Sequence, residues 1–424
     1  MRQGWKEVEL GSLIEITSSK RIYLSDYVDT GIPFYRSKEI IESYKGKDIS
    51  LELFITEDRY LKIKKQFGVP QINDILITSV GTIGIPYQVR NNKPFYFKDG
   101  NLIWLKFPKK ELDISSDYLY FLIGSDYGKG KLDSILIGSS QKALTISGLK
   151  KIKFNLPPLQ TQRKIASILS GYDDLIENNL KRIKLLEEKA QFTYEEWFVK
   201  MRFPGYETAK FDTVTGLPKG WEKKMLSQIS DYIGRGISPK YVEEDGFSII
   251  NQKCIRDNRV DKSFCRLTDN SIKILQDKVL QSFDILINST GTGTLGRVAQ
   301  ILTVNELLTV DTHVTIVRAG ENISKIFLGR SLEYNQERIE KLGKGATNQI
   351  ELSRHDLGEL IVIDLPTLEL QNLYEIKFKP NYQVIDKLII QNRLLKEARD
   401  ILLPRLMTGM IDVEELHIET LQIT

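Results

Sequence analysis

The sequence predicts an α+β protein built as two similar globular units, each followed by a long helix. The first observation behind this is internal repetition. Asp74-Ile75-Leu76-Ile77-Thr78-Ser79-Val80-Gly81-Thr82-Ile83-Gly84 returns 210 positions later as Asp284-Ile285-Leu286-Ile287-Asn288-Ser289-Thr290-Gly291-Thr292, followed by Gly293, Thr294, Leu295 and Gly296. The echo reaches both ends of the copy: Gly4-Trp5-Lys6 matches Gly220-Trp221-Glu222, and Leu156-Pro157-Pro158-Leu159-Gln160 matches Leu365-Pro366-Thr367-Leu368-Glu369. Such a repeat far exceeds the roughly 20–50-residue period of a solenoid, so each copy can bury its own core. The second observation is a change of texture after each copy, from short β-rich runs to a glycine-poor stretch with helical periodicity.

In order along the chain, residues 1–159 form the first mixed domain. Pro94-Phe95-Tyr96-Phe97 and Asn101 to Phe107 read as strands, and Tyr118 to Gly124 as a short helix. Pro157-Pro158 stops the last strand, and from Gln160 to about Lys200 there is no proline and no glycine except Gly171, so 160–203 is assigned to one long helix. Its apolar positions Leu169, Tyr172, Ile176, Ile183, Leu186, Ala190 and Trp197 alternate three and four apart, with Asn179 and Thr193 completing the series, the spacing of a coiled-coil seam. Pro204-Gly205 ends it, and 204–219 is a polar linker. Residues 220–366 repeat the mixed domain, 367–412 form a second helix that settles into rhythm after Pro380, and 413–424 are a tail. The second seam reads Ile385, Leu388, Asn392, Leu395, Leu402 and Leu406. Asn392 lies 213 residues after Asn179, an offset that also aligns Asp386 with Asp173 and Leu388 with Leu175. A buried asparagine at that level would fix register; a solvated flank is the open alternative. A forty-residue helix is about 60 Å long, nearly two turns of B-form DNA at about 34 Å each.

Composition excludes more than it selects. The 424 residues are 41% hydrophobic and 27% charged, so the chain should fold as a globular protein. The start of the chain carries no signal-like apolar stretch and no apolar run approaches the roughly 18 residues of a membrane span, so a soluble, cytoplasmic protein with no membrane partner is expected. Two cysteines, Cys254 and Cys265, and three histidines make neither a disulfide framework nor a zinc site, and no metal is expected. A net charge of +4 permits nucleic-acid binding without establishing it.

Catalytic patterns are missing. Asn155-Leu156-Pro157-Pro158-Leu159 lacks the aromatic residue and the spacing of an amino-methyltransferase motif, and no P-loop occurs. Gly291-Thr292-Gly293-Thr294-Leu295-Gly296 has the letters of a dinucleotide-binding loop. Its duplicate, Gly81-Thr82-Ile83-Gly84, lacks that glycine pattern, and Arg297 to Leu302 reads as a strand where a helix is required. The shared turn is read instead as a hairpin whose amides and hydroxyls approach a ligand such as phosphate, or as a plain tight turn. His313, His355 and His417 have no duplicated counterparts and read as structural. Asp74 and Asp284 are duplicated, but each precedes an apolar strand as a turn residue does. The chain therefore reads as a binding and scaffolding protein with no cofactor of its own.

This layout resembles the specificity (S) subunit of type I restriction-modification enzymes. The motifs that carry the resemblance are Tyr194-Glu195-Glu196-Trp197-Phe198-Val199-Lys200 with Phe203-Pro204-Gly205 in the centre, Leu402-Leu403-Pro404-Arg405-Leu406-Met407-Thr408-Gly409-Met410-Ile411-Asp412-Val413 at the end, and Leu156 to Gln162 at the entry to the first long helix. The second copy departs from the pattern with Pro366-Thr367 in place of Pro-Pro and with Lys379-Pro380 interrupting the start of its helix. The resemblance implies two target recognition domains, each reading half of a split double-stranded DNA sequence, on two conserved helices packed as an antiparallel coiled coil with pseudo-twofold symmetry. It also implies partners: two modification subunits that bind S-adenosylmethionine and methylate adenine at N6, and restriction (motor-nuclease) subunits that use ATP with magnesium.

Polar residues at equivalent places in the two copies are the candidate DNA contacts. In the first copy they are Lys20, Arg21, Arg36, Ser37, Lys38, Ser79, Thr82, Gln141 and Lys142; in the second, Arg235, Asn251, Gln252, Lys253, Ser289, Thr290, Thr292, Asn348 and Gln349. Arginine can grip guanine, asparagine and glutamine can grip adenine, and lysine, serine and threonine more often hold phosphate. Away from the shared motifs the two domains diverge, which under the resemblance implies two different half-sites. A non-catalytic coiled-coil scaffold that binds protein partners is the alternative reading, and a nucleotide site at Gly291 to Gly296 is a further rival.

Overall fold

A computed structural model describes residues 4–46, 49–108, 112–139, 141–345 and 350–414. Asn348 and Gln349 lie outside the described residues, as does most of the tail. The repetition seen in the sequence extends to strand order. In the first copy an antiparallel sheet runs Glu15–Thr17, Leu102–Lys106, Ile75–Thr78, Pro86–Gln88; in the second, Ser230–Arg235, Val314–Ala319, Ile285–Asn288, Val298–Gln300 takes the same order. A second sheet runs Tyr27–Val28, Phe54–Ile55, Ile32–Tyr35, Tyr96–Phe97, and its counterpart Tyr241–Val242, Arg266–Asp269, Gly246–Ile250, Thr309–Val310. Even the parallel strand pairing in this sheet recurs, Phe34 with Tyr96 and Ile249 with Thr309. Lys6–Glu9 with Lys153–Leu156, and Glu222–Met225 with Val362–Leu365, close each copy. The second copy adds a hairpin, Ile255–Arg256 with Arg259–Val260.

The repeated strand is the centre of each core. Ile75 to Thr78 and Ile285 to Asn288 are buried throughout. Successive side chains of a strand point to opposite faces. Ile75 and Ile77 accordingly join Leu105, Tyr118 and Leu122, whereas Leu76 joins Ile40, Phe97 and Trp104. Ile285 and Ile287 likewise separate from Leu286 into different clusters. The duplicated aspartates serve the turn before this strand: the Gln71 amide donates to Asp74 Oδ2 and the Gln281 amide to Asp284 Oδ2, each at 2.8 Å.

The first long helix spans Leu159–Tyr194 and widens into a π turn over Glu195–Val199, where the Lys200 amide donates to the Glu195 carbonyl at 2.8 Å. It thus ends before the expected Pro204-Gly205 stop. The second spans Leu368–Met407 without a break. Lys379-Pro380 therefore does not interrupt its start. Proline removes one helical N–H, but Tyr374, Phe378 and Tyr382 on either side are all buried and hold that segment in the core. Among the described residues, no helix is long and apolar enough to cross a membrane.

The chain divides into two compact units, 1–179 with 391–424, and 180–390, so each unit holds one copy and part of both long helices. The helices pair antiparallel. In the first unit Asn179 Nδ2 donates to Asn392 Oδ1 at 2.9 Å, Asn392 Nδ2 donates to the Ile176 carbonyl at 3.4 Å, and Arg399 Nη1 meets Asp173 at 2.6 Å. In the second unit Tyr374 donates its hydroxyl to the Ala190 carbonyl at 2.8 Å, and Ile183 packs with Ile385 and Leu388. Rings extend that seam: Phe198 and Tyr374 lie 5.3 Å apart, Tyr374 and Phe378 4.6 Å, Tyr194 and Phe198 5.3 Å.

Both asparagines are buried, so replacing either one by leucine strands the other amide and should cost about 1–3 kcal/mol in urea unfolding of the full chain. The double replacement removes both polar groups and should recover most of that loss.

Candidate nucleic-acid interface

At the end of the central strand in each copy a glycine turn reverses the chain. In the first, Gly84 donates its amide to the Thr78 carbonyl at 2.9 Å; in the second, Gly296 donates to Asn288 at 2.8 Å. Gly81, Gly84, Gly291, Gly293 and Gly296 all have φ between +72° and +100°, which a side chain resists. The chain leaves each turn as an antiparallel strand, Pro86–Gln88 or Val298–Gln300. A dinucleotide site would need a helix there, so the glycine letters mark a hairpin.

Ser79 and Ser289, expected at the DNA-facing surface, are buried instead. Each ties loops together with the same bonds. The Ser79 amide donates to the Asn101 carbonyl at 2.9 Å and its carbonyl accepts from the Leu144 amide at 2.8 Å; Ser289 makes the equivalent pair with His313 and Leu352, both at 2.8 Å. Their hydroxyls turn inward, to the Gly100 carbonyl and to Thr315. Asn251 is also buried. Its Oδ1 accepts from the Lys253 amide at 2.8 Å and its Nδ2 donates to the Phe264 carbonyl at 2.7 Å, so it shapes the turn beside it.

Around these fixed points, exposed loops converge. In the first copy Thr82 and Gln141-Lys142 are exposed on either side of the Ser79 junction. Arg21 reaches the same neighbourhood by pairing with Asp99 at 3.2 Å, while the Lys20 amide donates to the Tyr96 hydroxyl at 2.7 Å and its ammonium lies 4.7 Å above Phe67. Arg36 and Lys38 are less free. Arg36 pairs with Glu39 and Glu52, each at 2.7 Å, Lys38 pairs with Glu52, and these two cations pull the Glu52 carboxyl down to about 2. Ser37 opens the helix Ser37–Tyr44 between them.

In the second copy the Gln252 carbonyl accepts from Asn288 Nδ2 at 3.0 Å, and Thr290 Oγ1 lies 3.4 Å from Gln252 Oε1 and 2.8 Å from His313 Nδ1. Thr292 and Lys253 are exposed beside them. Sequence reasoning set His313 aside because it has no duplicated counterpart. The structure supplies one: Asn101 and His313 hold the same place, each accepting from the serine amide. Difference in residue type at one structural position was the available signal.

A concave cavity of about 550 Å³ adjoins this cluster, lined by Tyr232, Arg235, Lys278, Lys344, Glu351, Ser353 and Arg354. Four cations face one carboxylate. Arg235 is held by Glu351 at 2.5 Å and by the Leu352 carbonyl at 2.9 Å, Lys278 by the Gly236 carbonyl at 2.9 Å, and Lys344 by Asp356 at 2.7 Å. Of these cations only Arg235 is singled out from sequence, since the others come from two distant segments, Lys278 from one and Lys344 and Arg354 from the other.

The second copy is fastened to the helices by a buried polar network. Arg330, on the helix Lys325–Tyr334, donates to the Tyr382 hydroxyl at 2.8 Å and to Gln191 Oε1 at 3.2 Å, and pairs with Glu333 at 2.8 Å. Tyr194 donates its hydroxyl to Ser331 Oγ at 3.0 Å, and Arg259 pairs with Glu187. Burial pushes the Glu333 carboxyl up to about 7, with Glu187 adding to the rise and Arg330 opposing it.

Residues 2–188 match the family model described as the type I restriction modification DNA specificity domain. The chain is 28% identical over 355 residues to the MjaIX type I restriction enzyme specificity subunit of Methanocaldococcus jannaschii, covering 81% of this chain and 78% of that one. It is 24% identical over 437 residues to the MjaVIII specificity subunit of the same organism, covering 98% and 95%. The fold is like that of the S subunit of a type I restriction-modification system from M. genitalium, with a TM-score of 0.60 at 17% identity over 95% of this chain and 96% of that one.

The Glu333 shift has a pH signature. A carboxyl whose folded-state pKa is raised is stabilised by folding in its neutral form; that contribution is complete below the ordinary glutamate value and is lost as pH rises through about 7. Glu333→Gln should therefore match the parent in urea unfolding near about pH 4.5 and exceed it near about pH 8. A parent that keeps pace with the variant at the higher pH would show that the pair with Arg330 outweighs burial.

Proposed function

Since the chain belongs to the specificity subunits of type I restriction-modification enzymes, we propose that each of its two copies reads one half of a split, asymmetric double-stranded DNA target. The observation that carries this reading is the convergence of exposed polar loops on the same serine junction in both copies, with different side chains at matching places. Equal scaffolds with unequal readers call for unequal half-sites. In the first copy Arg21, Thr82, Gln141 and Lys142 present the reading groups; in the second, Gln252, Lys253, Thr290, Thr292 and His313 do. The cavity of Arg235, Lys278, Lys344 and Arg354 suits a DNA phosphate, which positions the duplex without reading it.

The long helices set the distance between half-sites in this reading, and their outward faces recruit two adenine-N6 modification subunits and, with them, motor-nuclease subunits. Leu185, Phe192, Ile376, Ile390, Leu394 and Ile401 support a recruiting role, being large apolar side chains exposed on these helices. S-adenosylmethionine, ATP and magnesium then belong to the partners, and this chain contributes recognition.

Co-expression with the modification subunit encoded beside it, followed by single-molecule mapping of N6-methyladenine, should give one split motif with two different halves. Sequence-independent or absent methylation from a well-folded complex would favour the scaffold reading. On that motif, Lys278→Ala and Arg354→Ala should each flatten the slope of log affinity against log salt by about 1, equally for all sequences. Gln252→Ala should instead relax the preference at one base pair by about 1–3 kcal/mol and leave the salt slope unchanged.

A further inference from the structure

Both cysteines of the chain lie in the second copy, and the fold brings them together. Cys254 ends the turn Gln252–Cys254 and is wholly buried; Cys265 follows the turn Lys262–Phe264 and is half-buried. Their sulfurs stand 3.9 Å apart. The backbones are already joined beside them, since the Asp261 amide donates to the Cys254 carbonyl at 2.8 Å and Asn251 Nδ2 donates to the Phe264 carbonyl at 2.7 Å.

We infer that this pair is an oxidation site at which a hydroperoxide forms a Cys254–Cys265 disulfide, and that the bond moves the turn presenting Gln252 and Lys253. The step balances. A thiolate attacks one peroxide oxygen, the O–O bond breaks, and a sulfenic acid and water form; the second sulfur displaces the sulfenic hydroxyl as water and the S–S bond closes. Two thiol hydrogens and one peroxide leave as two waters. The proton shared between the sulfurs holds Cys254 below the ordinary thiol range, which favours its ionisation.

The mechanical consequence follows from the distances. A disulfide holds its sulfurs about 2.05 Å apart, so roughly 2 Å of the present separation closes by rotation of the two side chains together with movement of the turns that carry them. The turn 251–254 is held on its other side by the glycine hairpin, through Asn288 Nδ2 on the Gln252 carbonyl at 3.0 Å and through Thr290 on the Gln252 side chain. Drawing Cys254 toward Cys265 pulls against those two bonds. The first copy has no cysteine, so the effect falls on one reader only.

The test uses the full-length chain treated with hydrogen peroxide, alkylated and peptide-mapped, with Cys265→Ser alongside. Expected are a cross-linked 254–265 peptide, about 2 Da lighter than its reduced form, reversed by dithiothreitol and absent in the variant. Amide exchange in 251–256 should change on oxidation of the parent and not of Cys265→Ser. The effect on DNA rests on the reading proposed above: binding to the mapped motif should weaken about tenfold, the scale of one lost base contact. Thiols that remain alkylatable, oxidation to sulfinic acids without a cross-link, or a cross-link that leaves exchange in 251–256 unchanged would each overturn the inference. A reduced chain that binds no duplex would defeat the DNA reading instead, and the cross-link and exchange results would still decide this one.

Discussion

Each copy in this protein hangs from one buried strand. Ile75 to Thr78 and Ile285 to Asn288 lie between two apolar clusters, so their position is fixed on both faces. A strand buried this way cannot slip by one residue without exchanging its two clusters. Both ends are then locked by polar atoms. Asp74 and Asp284 take the amide of the turn that enters, and Ser79 and Ser289 take the loops that gather at the exit. The exposed residues can differ freely between copies because none of them is asked to hold the fold. The scaffold that repeats is thus separate from the exposed loops that differ.

The same division appears along the helices. Where they carry Asn179 and Asn392, two amides satisfy each other and the Ile176 carbonyl, in a seam that would otherwise tolerate any apolar register. A buried polar pair stabilises little but strongly disfavours misalignment, because a shifted register leaves both amides unpaired. The aromatic stretch of the second unit acts by shape, with Trp197, Phe198 and Tyr374 fitting edge to face and Phe378 tilted against Tyr374. The apolar residues of the central signature fall on these packing positions, and those of the C-terminal signature, Leu406, Met407 and Val413, fall in the core of the first copy. Their residues are constrained by the helix pair and need no direct part in reading DNA.

What was legible in the sequence follows from what repeats. Duplicated words located the central strands, the glycine turns and the aspartate caps, and heptad spacing located the seam from Leu169 to Leu406. Pro380 misled because propensity treats each proline as a stop, while burial of Tyr374, Phe378 and Tyr382 overrides it here. The readers were harder. Ser79, Ser289 and Asn251 looked like surface groups because serine and asparagine usually are, and only the hydrogen-bonded loops show them turned inward. Lys278, Lys344 and Arg354 carry no local signature at all. They become a site through loops that meet in space.

The two copies also differ in how their charge is spent. In the first, Glu39 and Glu52 already neutralise Arg36 and Lys38, so a phosphate approaching them must compete with ionised carboxylates. In the second, Arg235 and Lys344 pair with Glu351 and Asp356 while Lys278 is held by the Gly236 carbonyl, so the four cations meet two carboxylates and the cavity keeps a net positive charge. Carbonyl oxygens orient a cation without cancelling its charge, and an oriented cation loses less entropy when a phosphate arrives. On the DNA reading proposed above, the second copy is the one expected to supply more of the salt-sensitive, sequence-independent grip. On the same reading, the first relies on the shape and hydrogen bonding of its loops, and its half-site is expected to contribute more to discrimination than to raw affinity.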